Sequence, residues 1–290
     1  MKPAPFEYHR PRTLDEAVEL MATLDNPKVL SGGQSLVPMM NFRYVMPDHI
    51  VDISGIAEIS GISRQGDEIR IGAFTRQREI EFSELIRDAA PLFQAGLKHV
   101  GHRQTRNRGT IGGSLAHADP SAELPTVCLA HDAVIEIAGQ AGRREVPMRE
   151  FNLGFMTTAV GYDEVLAGIR FRPWRPGHGY SFQEFARRHG DFAIVGAAVL
   201  LEVDAGGVVE RCAVALCGTG VGPVRLDQVE AMLAGRRLDD SLIEAAGRAA
   251  GDVDAHEDFH ASAAYRQHLA QVLTMRALRE AGARAASGRS

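Results

Sequence analysis

Apolar residues at Leu14, Ala17, Val18, Leu20, Met21 and Leu24 recur at helical spacing between polar ones, so residues 13 to 24 predict an amphipathic helix. Thr13 stands at the N-cap position, and Glu16 three residues on completes the signature of a capping box. Val29-Leu30 then predicts a short strand running into Ser31-Gly32-Gly33-Gln34-Ser35-Leu36, and His49-Ile50-Val51-Asp52-Ile53 predicts a second. Isoleucines at 59, 62, 69 and 71 flank the turn Gln65-Gly66-Asp67, the alternation of a β-hairpin ending at Gly72. A helix is expected from Pro91 to His99, then a loop dense in arginine and glycine from Gly101 to Gly113. Val134 to Ala138 and Arg144 to Val146, joined by the turn Gly139 to Gly142, predict another hairpin, and Val165 to Phe171 a further strand.

Pro173-Trp174-Arg175-Pro176-Gly177-His178-Gly179 interrupts regular structure and is the candidate domain boundary. Beyond it, Ala193 to Val203 and Val208 to Leu216 predict strands joined at Asp204-Ala205-Gly206-Gly207, followed by helices at 240–250 and 262–281. These patterns describe an α/β chain in two regions, 1–175 and 178–282, with a frayed tail over 283–290.

Composition narrows the function classes. Of 290 residues, 45% are hydrophobic and 24% charged, the balance of a globular protein large enough to bury sizeable cores. The formal charge of −5 gives no electrostatic footprint for nucleic acid. Neither a secretory leader nor a run of apolar residues long enough to span a membrane is present, so a cytoplasmic location is expected. Cys128, Cys212 and Cys217 share no C-x-x-C spacing and are read as buried thiols; they fall short of the about four thiolates an iron–sulfur cluster needs.

Candidate chemistry concentrates in two glycine turns. In Ser31-Gly32-Gly33-Gln34-Ser35, paired glycines let successive N–H groups converge on one point, a nest suited to a phosphate oxygen, with Ser35 as a hydroxyl donor. Thr110-Ile111-Gly112-Gly113-Ser114 repeats the pattern. One such turn is as readily a tight turn with nothing bound, whereas two in one region suggest a ligand with two phosphates. The G-x-G-x-x-G fingerprint is missing from the N-terminal strand-turn, which argues against a Rossmann site.

Taken together, Ser31 to Leu36 and the run Arg106-Asn107-Arg108-Gly109-Thr110-Ile111-Gly112-Gly113-Ser114-Leu115-Ala116-His117-Ala118-Asp119-Pro120 resemble the medium, flavin-carrying subunit of the carbon monoxide dehydrogenase and xanthine dehydrogenase family. The likeness extends from Phe6, Tyr8 and Pro11 to Asp258, His260, Ser262, Tyr265 and Arg266, and is nearest in wording to quinoline- and N-heterocycle-oxidising members. The resemblance implies a two-lobed FAD-binding fold of the vanillyl alcohol oxidase type, with lobes of about 1–55 and 56–175, followed by a small antiparallel sheet with helices. FAD is expected to lie extended in the cleft between these regions. The resemblance assigns Val29, Leu30, Ser31, Gly32, Gly33, Gln34, Ser35 and Leu36 to its pyrophosphate, and Thr110, Ile111, Gly112, Gly113 and Ser114 to a second phosphate and ribityl contact. Val100 and Leu166 match positions that touch the flavin or its chain; Glu123 falls where many relatives have Asp and is expected to accept a hydroxyl hydrogen bond. Asp191 and Phe192 match a segment near the isoalloxazine ring, with Phe where other members place Tyr. Asp119 equally suits the start of a turn, Phe192 a core position, and His117 a flavin contact or a structural histidine.

The family function implied is electron relay: a large molybdopterin subunit oxidises substrate, a small subunit with two two-iron two-sulfur clusters carries electrons, and this chain collects them on FAD, as a dimer of heterotrimers. No catalytic or metal-binding residue is assigned to this chain itself. His256-Glu257-Asp258-Phe259-His260 matches H-E-x-x-H, but the preceding Gly251 to Ala255 lacks a helical apolar face and reads as a loop. Two other classes stay open: a self-sufficient flavin oxidase, disfavoured by Gln34 where covalent flavin attachment would want His, and a nucleotide-binding structural subunit.

Overall fold

A computed structural model describes residues 1–288, which form three larger sheets in chain order and one two-stranded sheet. The first lobe contains β1 (Glu7–His9), α1 (Leu14–Thr23), β2 (Pro27–Leu30), α2 (Leu36–Asn41) and β3 (His49–Asp52). Its strands form a parallel sheet in the order β1-β3-β2. The Thr13 hydroxyl accepts from Glu16 N–H, while the Glu16 carboxylate accepts from Arg12 N–H at 2.7 Å, one residue earlier than an ideal capping box. The apolar stripe of α1 packs onto Val51, Ile53, Ile56 and Ile59, and reaches Ala138, Val165 and Ala167 of the second lobe.

The second lobe is an antiparallel sheet of order β4-β5-β10-β6-β7, with β4 (Ile62–Gln65), β5 (Glu68–Gly72), β6 (Val134–Gly139), β7 (Gly142–Pro147) and β10 (Val165–Phe171). Both hairpins expected from the alternation are present. Between β5 and β6 the chain makes six short helices: α3 (Gln77–Phe82), α4 (Glu84–Ala89), α5 (Leu92–Leu97), α6 (Arg103–Arg108), α7 (Ile111–His117) and α8 (Glu123–Ala130). The stretch expected as an Arg/Gly loop is therefore largely helical. Its helicity was hidden because α6 buries no residue, and so carries no apolar stripe, while α7 contains two glycines. Helix α8 escapes pattern reading for the opposite reason: every residue in it is buried, so no polar face marks its period. A small hairpin follows α9 (Met148–Phe151), made of β8 (Asn152–Gly154) and β9 (Thr157–Thr158).

The last region is an antiparallel sheet β11-β12-β13-β14 (Gly179–Phe185, Val195–Val203, Val209–Cys217, Val224–Arg225) with α10 (Asp227–Leu233), α11 (Asp240–Ala250) and α12 (Ala263–Ser287). Alternation along β12 explains its unbroken apolar run: Ala198 and Leu200 join the core of the second lobe, and Val195, Ala197, Val199 and Leu201 pack under α11 and α12. The chain thus crosses Pro173–Gly179 without a break in packing, and Trp174 there is buried in the shared core. The tail expected to fray from 283 is helical as far as Ser287. Ala285 is only 2% exposed and the Arg284 guanidinium donates to the Tyr180 carbonyl, so buried contacts hold this last turn. Arg289 and Ser290, the end of the expected tail, lie outside the described residues.

Candidate functional site

Strand β2 ends at Leu30 and delivers Ser31 to Ser35 beside the start of α7, so that Ser31 Oγ and Thr110 Oγ1 are 2.7 Å apart. Gly33 has φ +71°, a conformation that costs an L side chain roughly 1–2 kcal/mol. Among the described residues, no protein acceptor takes the N–H groups of Gly32, Gly33, Gln34 and Ser35. A glycine loop with donors left free by the protein is what an anionic oxygen requires. Gly32 serves a different purpose: a Cβ there would fall onto the Arg108 carbonyl and come 2.7 Å from Gly109 Cα, so its bareness lets α6 close on the loop.

The second motif is not a copy of the first, contrary to the sequence reading. Thr110 caps α7, accepting from Gly113 N–H at 3.1 Å; Ile111 N–H donates to the Thr75 carbonyl, Gly112 N–H to Ala73, and Ser114 N–H to Thr110. Its amides are therefore spent within the fold, and what it offers outward are hydroxyls and the bare Cα of Gly113.

Both motifs open into one cleft of ≈ 1020 Å³, at the large end of small-ligand sites, which run about 300–1,000 Å³. Of the residues expected to bind the cofactor, Val29, Ser31 to Leu36, Val100, Thr110, Gly112 to Ser114, His117, Asp119, Glu123, Leu166, Asp191 and Phe192 lie on its wall. Two do not. Ile111 is fully buried in the core of the second lobe, because the first turn of α7 points it inward, and Leu30 sits behind the wall as the end of β2. Phe192 is 71% exposed, which rules out the core role left open for it. Asp119 makes the turn after α7, its Oδ1 accepting from Ser121 N–H at 2.8 Å, and also borders the cleft.

The last region adds further wall residues, and Arg266, Asp258 and His260 among them form one connected group. Arg266 is 6% exposed; its guanidinium donates to the Ile194 and Gly218 carbonyls at 2.6 Å each and to Asp258 Oδ2 at 2.8 Å. It thereby ties α12 and the 256–260 segment to the strand that follows Phe192. Asp258 in turn accepts from His260 and Ala261 N–H, which positions His260 at the cleft. The segment holding His256 and His260 is not helical, as the sequence reading expected, so the two imidazoles do not share a helix face. The family resemblance had included Asp258, His260 and Arg266 without giving them a role at the cofactor, whereas Met156 and Tyr162, also on the wall, carried no sequence signal.

Burial sets the protonation of the inner wall. Glu123, 8% exposed at the start of α8, has its carboxyl pushed up to about 8, first by burial and then by the negative charge of Glu184. Burial likewise raises Glu184 to about 7. The His117 imidazole is lowered by burial, which the nearby Asp119 partly offsets. Near neutral pH Glu123 is therefore mostly protonated and His117 neutral, so this pair lines the cleft with hydrogen-bond donors and acceptors rather than fixed charge.

Comparison with known proteins bears on this geometry. Residues 4–174 match the family model of the FAD binding domain in molybdopterin dehydrogenase, and residues 180–281 that of the CO dehydrogenase flavoprotein C-terminal domain. The chain is 36% identical to the 6-hydroxypseudooxynicotine dehydrogenase complex subunit alpha of Paenarthrobacter nicotinovorans, covering 97% of this chain and 96% of that one. It is 35% identical to the carbon monoxide dehydrogenase medium chain of Hydrogenophaga pseudoflava, covering 99% and 100% respectively. The crystal structure of quinoline 2-oxidoreductase from Pseudomonas putida 86 superposes with a TM-score of 0.94 at 32% identity, over 99% of this chain and 100% of that chain.

Proposed function

Because this chain belongs to the family of FAD-binding medium subunits of the molybdenum hydroxylases, we propose that it is the electron-transfer subunit of a heteromeric hydroxylase, holding FAD along the cleft between the two glycine motifs. The observation that carries this reading is the meeting of Ser31 and Thr110 beside the loop Gly32 to Ser35, whose N–H groups have no acceptor among the described residues. Gly32 to Ser35 would hold the diphosphate through backbone donors, and Thr110, Gly113 and Ser114 would line the chain that leads to the ring. Phe192 and Asp191 would border the ring, with Glu123 presenting a carboxyl group to a cofactor hydroxyl or carbonyl. Bound flavin supplies a centre able to hold one electron or two, while the protein orients it and excludes side reactions.

The proposed partners are a small subunit with two-iron two-sulfur clusters and a large molybdopterin subunit, assembled as a dimer of heterotrimers in the cytoplasm. Relatives named as a complex subunit and as a medium chain support a multi-chain enzyme, and the described residues include no helix long and apolar enough to cross a membrane. Relatives that act on a hydroxypseudooxynicotine and on quinoline support an N-heterocyclic aromatic substrate, selected on the partner chain. Exposed Arg103, Arg108, Arg187 and Arg188 are available to steer an acidic partner, whereas Arg106 is committed to Glu81 at 3.1 Å and to the Val100 carbonyl.

Reconstitution tests the reading. The purified chain is expected to be yellow with one FAD that acid releases into solution, since Gln34 offers no covalent link. Mixed with an N-heterocyclic substrate and a dye acceptor, it should turn over only after both partner subunits are added. Full turnover by the isolated chain would replace the relay with a self-sufficient oxidase.

A further inference from the structure

Away from the cleft, the parallel pairing of β1 with β3 sets Glu7 opposite His49 and His9 opposite Val51. Glu7 and His9 are two residues apart on one strand and so project from the same face, and His49 stands beside them on the neighbouring strand. His9 Nε2 lies 3.1 Å from His49 Nδ1, and His49 Nδ1 lies 3.6 Å from Glu7 Oε2; one ligand atom from each of the three falls within 4.8 Å of the others. The geometry points to a zinc-binding site of two imidazoles and one carboxylate on the outer strands of the first lobe.

Nitrogen ligands about 2.0–2.1 Å from a tetrahedral zinc are separated by roughly 3.3–3.4 Å, and the observed 3.1 and 3.6 Å bracket that spacing. The remaining adjustment falls on Glu7, whose side chain is 75% exposed and free to rotate onto the ion. Both histidines are half-buried, so their rings are held by packing before an ion arrives. A hydrogen bond between the rings accounts for the 3.1 Å contact alone. With the Glu7 carboxylate pairing at 3.6 Å to the same His49 nitrogen, such contacts join the groups only pairwise, whereas a divalent cation uses all three at once and places one negative charge against its two positive ones. Two imidazoles with a carboxylate suit borderline zinc and not the all-oxygen preference of calcium or magnesium. Three protein ligands leave a fourth position for water, and the ion would staple the three-residue β1 to β3.

The test uses the full-length, tag-free chain with its flavin bound, stripped with EDTA and titrated with zinc chloride by calorimetry. The expected result is one zinc per chain, weakened at least ~10-fold by His9→Gln and by His49→Gln, the scale seen when even an outer-sphere partner of a metal ligand is lost. X-ray absorption at the zinc edge of the wild type should show two imidazoles and oxygen in the first shell, a readout that needs no variant to fold. Flavin absorbance of the variants, expected unchanged, separates loss of this site from loss of the cleft. Equal zinc binding by wild type and the double variant, or no binding by wild type at millimolar zinc, overturns the assignment.

Discussion

Ser31 and Thr110, 79 residues apart, share a hydrogen bond of 2.7 Å between their hydroxyls, and that contact joins the two glycine motifs into one wall. Thr110 also caps α7. Thr110→Val should therefore lose the cap and strand the Ser31 hydroxyl, lowering stability by about 1–2 kcal/mol and loosening flavin, while Thr110→Ser should keep both. A double-mutant cycle with Ser31→Ala measures the link directly; a coupling energy near zero would contradict it.

Replacing Gly33 and Gly112 by valine should give opposite phenotypes. At Gly33 the added Cβ meets only the Val37 and Leu30 side chains at 3.2 and 3.3 Å, so the burden is its φ of +71°, and distortion falls on the donor loop. Gly33→Val should lose flavin more than it loses stability, with Gly33→Asn milder because Asn tolerates this region better. At Gly112 the Cβ would come 2.6 Å from Ala73 Cβ and 2.7 Å from its carbonyl oxygen, so Gly112→Val should destabilise the flavin-free chain as well. Flavin content and thermal melts with and without FAD distinguish the two.

The raised carboxyl of Glu123 makes a stability prediction with a definite sign. Its folded value, about 8, lies above the ordinary 4.5, so the folded chain binds a proton that the unfolded chain has released, and stability falls as pH rises between those values. Each full proton contributes a slope of ~1.4 kcal/mol per pH unit. Urea unfolding of the flavin-free chain should show a shallower decline in Glu123→Gln, with Glu184 still contributing up to about 7. Parallel pH profiles for wild type and variant would refute the assignment.

Arg266→Ala should cost about 2–4 kcal/mol, because the buried carbonyls of Ile194 and Gly218 lose their donor and Asp258 its cation. Phe192→Ala, at an exposed position on the same wall, should change melting of the flavin-free chain by less than about 0.5 kcal/mol while altering flavin fluorescence. Equal destabilisation by the two would mean that the division between scaffold and lining is wrong.

Local periodicity was enough to place α1, the hairpins β4–β5 and β6–β7, strand β10 and the paired strands β12 and β13, because in each the alternation of apolar and polar residues records which face is buried. Glycine pairs beside serine and threonine likewise marked both motifs of the cleft, since their chemistry is written in adjacent residues. What the sequence alone decided was thus the identity of those patterned elements and the position of the two motifs. Tertiary structure decided the rest: that the amides of Ile111 to Ser114 are spent on Ala73, Thr75 and Thr110, that Ile111 faces the core, that Arg266 reaches Ile194, and that Glu7, His9 and His49 meet. Each of those depends on partners distant in the chain, or on which way a turn of helix faces, and no pattern of neighbouring residues encodes the orientation that one element takes against another.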